Sequence, residues 1–362
     1  MIRAILAAVL VLLTGTPALA QIPARTHPLV IAHRGASGLR PEHTRAAYAL
    51  AIEQGADFIE PDLVLSKDGA FVVRHENEIG GTTDVAAHPE FADRKTTRTI
   101  DGVSTTGWFT EDFTLAELKT LRARERLPAL RPANTAWDGQ NAILTFEEVV
   151  EIARAGSALT GRTISVAPEL KHPSYFASIG LPMEDGFIVL LERLGLTGAD
   201  APILIQCFEV GPLQRLSVRI RAPLLQLMSV AGGPIDRPDL SYAAMATPEG
   251  LKAIRAWAGA IGVETAMIVP RGPDGVSLPA TSLIPDAHAA GLEVVSWTFR
   301  AENAFLPAER RSGEGLAEHG DLAGQLQQFR DLGVDAVFTD FPGVAADAFR
   351  PQPLRKASRS PR

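Results

Sequence analysis

The sequence predicts a (β/α)8 barrel, a TIM barrel, with a long insertion after its second strand. Short apolar runs of strand length alternate with longer segments of helical period, which is the pattern of parallel strands joined by helical crossovers. Eight such runs are present without a Gly-x-Gly-x-x-Gly dinucleotide fingerprint, favouring a closed barrel over an open doubly wound sheet. The residues with chemistry to offer fall at or near the C-terminal ends of these runs, where such barrels hold their sites.

Taken in order, the chain opens with a leader. Arg3 is the only charge before Arg25, an apolar run covers residues 4–13, and residues 14–17 break it. Ala18-Leu19-Ala20 fits the small-x-small cleavage rule, so residues 1–20 are expected to be a signal peptide, with Gln21 the mature start. The apolar run is shorter than the roughly 20 residues that span a bilayer. The expected address is therefore periplasmic or secreted, without stable membrane insertion.

One barrel domain is expected over residues 21–349. Its strands are read at Leu29–His33, 57–62, 164–169, 203–207, 224–227, 261–264, 293–298 and Ala336–Thr339. Helical periodicity covers 43–54, 146–155, Glu184–Leu194, 211–219, 248–258, 281–290 and 322–332, with Gly55, Gly156, Gly195, Gly259, Gly291 and Gly333 as stop signals. Residues 64–141 are rich in Thr, Asp, Arg and Gly, with a hairpin at 67–73; they read as the insertion, a lid or wall over the barrel mouth. A smaller excursion, 300–320, falls on the same face, and residues 350–362, basic with Pro and Ser, read as a disordered tail.

With 362 residues and 46% hydrophobic content the chain can bury a large core. A net charge of −7 disfavours nucleic acid or an anionic membrane as a general partner. Cys207 is the only cysteine, so no intrachain disulfide is available; its apolar run marks it as a packing residue.

On a strand, residues two apart share a face, so Glu60 pairs with Asp62 and Glu169 with Lys171. Three carboxylates offer an all-oxygen site for one hard divalent cation, Ca2+ or Mg2+. His33 ends the first strand and His75 ends the hairpin. Imidazole, titrating near about 6.5, suits acid–base work. Arg34 and Lys171 suit a phosphate, one as a fork and the other as a point charge, or else pair with the neighbouring acids. Trp297, near the end of the seventh strand, either stacks on substrate carbons or fills the core. Any one of these residues alone would read as a cap or a packing group; together they point to metal-assisted phosphate chemistry. Glu42 is read as a capping or positioning residue and His172 as structural, facing away from Lys171. His88, His288 and His319 read as surface or core residues.

The runs His33-Arg34-Gly35-Ala36-Ser37-Gly38, Pro41-Glu42-His43-Thr44, Ile59-Glu60-Pro61-Asp62, Lys67-Asp68-Gly69 and Val72-Val73-Arg74-His75-Glu76 recur with Pro168-Glu169-Leu170-Lys171, Ser296-Trp297-Thr298 and Phe338-Thr339-Asp340-Phe341-Pro342. In that order they resemble the glycerophosphodiester phosphodiesterase family, and its exported, calcium-using branch in particular. The resemblance implies hydrolysis of glycerophosphocholine, glycerophosphoethanolamine and similar small molecules to glycerol 3-phosphate and an alcohol. It implies His33 and His75 as general acid and base, Glu60, Asp62 and Glu169 as metal ligands, and a divalent cation with Ca2+ ahead of Mg2+. The sequence departs from the pattern at His43, where Asn is usual and caps a helix better. Two rivals remain at this stage. One is a phospholipase D-like enzyme acting on lysophospholipid or sphingolipid, for which Trp108-Phe109 is a candidate membrane contact. The other is a catalytically inactive binding barrel.

Overall fold

Eight parallel strands close into a barrel. The computed structural model describes residues 27–350, and the leader expected at 1–20 and the tail from 351 onward lie outside them. The strands are β1 (Leu29–His33), β2 (Phe58–Glu60 and Asp62–Leu65), β3 (Ser165–Val166 and Glu169–Leu170), β4 (Ile205–Cys207), β5 (Leu224–Met228), β6 (Ala260–Glu264), β7 (Glu293–Phe299) and β8 (Ala336–Thr339). β1 pairs with both β2 and β8, and every other strand pairs in parallel with its chain neighbours. The interruptions in β2 and β3 fall at Pro61 and next to Pro168, since proline has no N–H for the ladder.

Two apolar layers hold this frame. The barrel interior is plugged by side chains from all eight strands, among them Ile31, Phe58, Ala167, Leu204, Leu227, Ala260, Val295 and Phe338. A larger layer lies between the strands and the surrounding helices. The helix Phe146–Thr160 illustrates the second. Gly156 was expected to end it, yet it runs on to Gly161, which takes the left-handed cap at φ 68°. Gly156 serves close approach instead, because a Cβ there would lie 2.7 Å from Ile52 Cδ1.

Other boundaries moved for equally local reasons. The first helix is Arg45–Glu53 rather than 43–54; Thr44 caps it by accepting a hydrogen bond from Ala47 N, and His43 stands outside at φ 58°. An eighth crossover helix, Pro342–Phe349, follows β8 with proline in its first turn. Short helices Pro173–Ser178 and Thr265–Ile268 follow β3 and β6 and have too few residues for a periodic signal.

The segment after β2 covers part of the mouth. Strand Phe71–Val73 folds back antiparallel on β2, and a separate hairpin pairs Thr96–Ile100 with Val103–Gly107. Arg131 from this segment is buried among barrel residues, bonding Glu302 (2.6 Å), Asp340 (2.5 Å) and the Ser37 carbonyl (2.9 Å). Phe109 is fully buried and Trp108 donates its Nε1–H to the Phe91 carbonyl, so this pair is no exposed membrane contact. No helix among the described residues is long and apolar enough to cross a membrane. Arg350, first residue of the expected tail, bonds the Gly55 carbonyl and Asp57.

Gly35 tests how tightly β1 must turn. It sits at φ 87°, where a Cβ would come within 2.7 Å of Ala47 backbone. Gly35→Ala is expected to lower stability by about 2 kcal/mol or more in urea unfolding; an unchanged midpoint would contradict this account.

Candidate active site

Strand alternation builds the site. Leu29 and Ile31 point into the barrel, so His33 follows on the same face; Phe58 leads to Glu60, Ala167 to Glu169, Leu204 to Gln206, Val295 to Trp297, and Phe338 to Asp340. Register then sets neighbours side by side: His33 opposes Glu60, Asp62 opposes Glu169, and Glu169 opposes Gln206. A polar layer therefore lies directly on the apolar plug. A cavity of about 300 Å³ opens against both, lined by His33, Glu60, Glu169 and Gln206 and by the apolar Leu227, Phe338, Phe208 and Trp297.

Glu60, Asp62 and Glu169 are all buried and each offers an oxygen within 4.8 Å of the other two. Glu60 accepts from Arg34 N (2.7 Å) and from Gln206 Nε2 (3.3 Å). Asp62 Oδ2 meets His43 Nε2 at 2.9 Å and Arg34 Nε at 3.2 Å, while its buried Oδ1 has no partner. Burial, with the Asp62 charge beside it, pushes Glu60 well above the ordinary carboxyl range; burial first pushes Glu169 up to about 7. Burial would raise Asp62 too, but Arg34 and the His43 hydrogen bond hold it well below. One fixed negative charge beside two carboxyls that keep protons, with an orphaned oxygen among them, fits a divalent cation with oxygen ligands.

Both histidines face this cluster. His33 Nδ1 bonds Asp340 Oδ1 at 2.7 Å, leaving Nε2 for the cavity. Asp340 also accepts from Arg131 and Arg300, which keep it ionised. Burial, then Arg34, lowers His33 to about 4 against the pull of Asp340. His75 Nδ1 meets Glu76 at 2.8 Å and its Nε2 lies 3.4 Å from Lys171 Nζ. Burial, then Arg34 and Lys171, lowers it to about 3, although its side chain keeps 26% exposure. Both imidazoles are thus neutral near pH 7.

The expected cations are present but occupied. Arg34 is bonded to Glu42 (3.0 Å) and paired with Asp62, and Lys171 is paired with Glu169 (3.0 Å); both still line the cavity. Glu42 positions rather than caps, joining Arg34 to Arg126. Trp297 is half-buried on the cavity wall, edge-on to Phe208 at 5.7 Å. His172 was expected to be structural; it takes a left-handed turn and bridges Glu76 (3.0 Å) and Asp101 (2.6 Å) beside the mouth. Burial and its neighbours leave it raised to about 9, the two acid hydrogen bonds overcoming desolvation.

Several residues at the site carried little sequence signal. His43 is a partner of Asp62: Nε2 meets Asp62 Oδ2 (2.9 Å) and Nδ1 meets the hydroxyl oxygen of Tyr48 (2.9 Å), which itself donates to the Glu60 carbonyl (3.1 Å). Gln206 and Asp340 sit in the strand-end pattern and could have been found by it. Arg126 and Arg300 line the cavity from irregular segments, where no periodicity points to them.

A model of the glycerophosphoryl diester phosphodiesterase family matches residues 33–344. A glycerophosphodiester phosphodiesterase of Arabidopsis thaliana is 36% identical over 330 residues, 88% of this chain and 85% of that protein. One of Haemophilus influenzae is 25% identical, covering 86% of this chain and 90% of its own. Among solved structures, an Oleispira antarctica phosphodiesterase in complex with the product sn-glycerol-3-phosphate shares the fold at TM-score 0.55 and 23% identity, over 89% of this chain and 96% of that one. A Silicibacter pomeroyi protein assigned as a glycerophosphoryl diester phosphodiesterase superposes at TM-score 0.62 and 18% identity, over 90% and 94%.

The carboxyl cluster sets a pH dependence for ion binding. Glu169 holds its proton up to about pH 7 and must lose it to ligate. Glu60, raised as well, must also give up its proton, so affinity for Ca2+ should rise by about tenfold or more per pH unit below pH 7, as read by calorimetry between pH 5.5 and 8. Glu169→Gln should remove most of the affinity; a pH-independent affinity would contradict the assignment.

Proposed function

This chain belongs to the glycerophosphoryl diester phosphodiesterase family and is a phosphoric diester hydrolase, and from that premise we propose a substrate, a cofactor and residue roles. The substrates are glycerophosphodiesters such as glycerophosphocholine and glycerophosphoethanolamine, cleaved to glycerol 3-phosphate and the alcohol. The observation that carries the reading is the meeting of two imidazoles with a cluster of three buried carboxyl groups, two of which, Glu60 and Glu169, line the same cavity as His33 and His75. The Oleispira protein, solved with sn-glycerol-3-phosphate, supports the product class.

Glu60, Asp62 and Glu169 would hold one divalent cation, Ca2+ ahead of Mg2+; when bound, it neutralises charge on the phosphoryl oxygens and acidifies a nearby hydroxyl. Arg34 and Lys171 hold the phosphate against the cluster. Asp340 fixes the His33 ring with Nε2 toward the diester, and Glu76 does the same for His75. One imidazole takes the proton of the attacking hydroxyl and the other protonates the departing alkoxide. Burial depresses His75 most, and Arg34 and Lys171 add to it; the phosphate anion offsets those two cations and so favours the protonated imidazole in the complex. We read the first nucleophile as the free glycerol hydroxyl beside the phosphate, giving a cyclic phosphate that water opens. Trp297 packs against the glycerol carbons. Export belongs to the same proposal and rests on the pattern at residues 1–20.

Release of glycerol 3-phosphate from glycerophosphocholine is the direct test. It should stop in EDTA and return with Ca2+, and to a smaller extent with Mg2+; release unaffected by chelation would remove the metal from the scheme. His33→Ala and His75→Ala should each cut kcat by about 10²–10⁴-fold. Asp340→Asn should cut kcat by about 10²-fold or more and alter the pH profile, with KM little changed. A diester lacking the free hydroxyl should be cleaved poorly, and equal rates would refute the cyclic step.

A further inference from the structure

A second cavity of about 260 Å³ adjoins the first, sharing Glu169, Lys171 and Phe208 with it. The rings of Phe208 and Tyr242 form one side, 6.1 Å apart and inclined at 63°. Ile235, about half exposed, and Pro173 add apolar surface. The charges on this wall do not cancel. Lys171 is paired with Glu169, and His172 lies between Glu76 and Asp101. Glu209 is 3% exposed, accepts from the amide and hydroxyl of Ser174, and has no ion-pair partner among the described residues. Burial raises the Tyr242 phenol, the Cys207 thiol and Glu209 itself, the Ser174 hydrogen bonds pulling Glu209 back, so a cation in the cavity would favour its ionised form.

An aromatic wall, apolar edges and one unmatched carboxylate suit a cation whose charge is spread over carbon, and not a sugar, an inositol or a second phosphate. We propose that this second cavity is the leaving-group subsite and takes an alkylammonium head group, its nitrogen over Tyr242 and facing Glu209, while Lys171 keeps the Phe208 ring at 5.9 Å. The proposal rests on the diesterase reading above and selects within it.

The test compares kcat/KM for glycerophosphocholine with that for its 3,3-dimethylbutyl ester, in which carbon replaces the ammonium nitrogen and the shape is kept. The choline ester should be favoured by about tenfold or more, the scale of a desolvated cation–aromatic contact. Glu209→Gln and, separately, Tyr242→Leu should pull that ratio toward one. Tyr242→Leu is independent of the Ser174 bonds through which Glu209 also holds the helix Pro173–Ser178. Equal kcat/KM for the two esters on the unsubstituted enzyme would overturn the subsite and leave the diesterase reading standing. No release from either ester would overturn both.

Discussion

Like charges held out of water are the constraint on which the rest of this barrel mouth depends. Glu60, Asp62 and Glu169 crowd within 4.8 Å of one another on top of an apolar plug. Two carboxylates about 4 Å apart repel by about 4 kcal/mol at an effective dielectric of 20. The metal-free chain relieves this by protonation at Glu60 and Glu169 and by surrounding Asp62 with Arg34 and His43. A divalent ion held by the same oxygens would relieve it without protons.

The surrounding residues can be understood as successive responses to that charge. Arg34 answers Asp62, Glu42 answers Arg34, and Arg126 from the segment after β2 answers Glu42. On the opposite side Asp340 serves His33 and is itself met by Arg300 and by Arg131. Two arginines of one irregular segment thus end in the network, one facing the cavity and one buried beneath it. Packing of that segment onto the barrel is therefore coupled to the orientation of His33. His172 adds a third tie, from the loop after β3 to Asp101 at the tip of the hairpin.

Much of this was legible beforehand because a strand has period two. Once Ile31, Phe58 and Ala167 are taken as inward, His33, Glu60 and Glu169 must follow, and the meeting of distant segments needs only that the strands be adjacent. The same rule would have delivered Gln206 and Asp340. It could not deliver His43 or Arg126, which lie in turns where no periodicity operates. Nor could it tell that Gly156 makes room for Ile52 while Gly161 ends the helix, since both roles select the same residue.

The chain by itself determined the barrel, the strand ends that bear carboxylates and imidazoles, and the chemistry those groups share, because alternation and residue type are local properties. Only the tertiary structure decided which charges answer which. That Arg34 is spent on Glu42 and Asp62, that Asp340 holds His33, and that Glu209 is left unmatched beside two aromatic rings all depend on register and on buried rotamers. Those are set by packing across long sequence separations, and no local pattern records them.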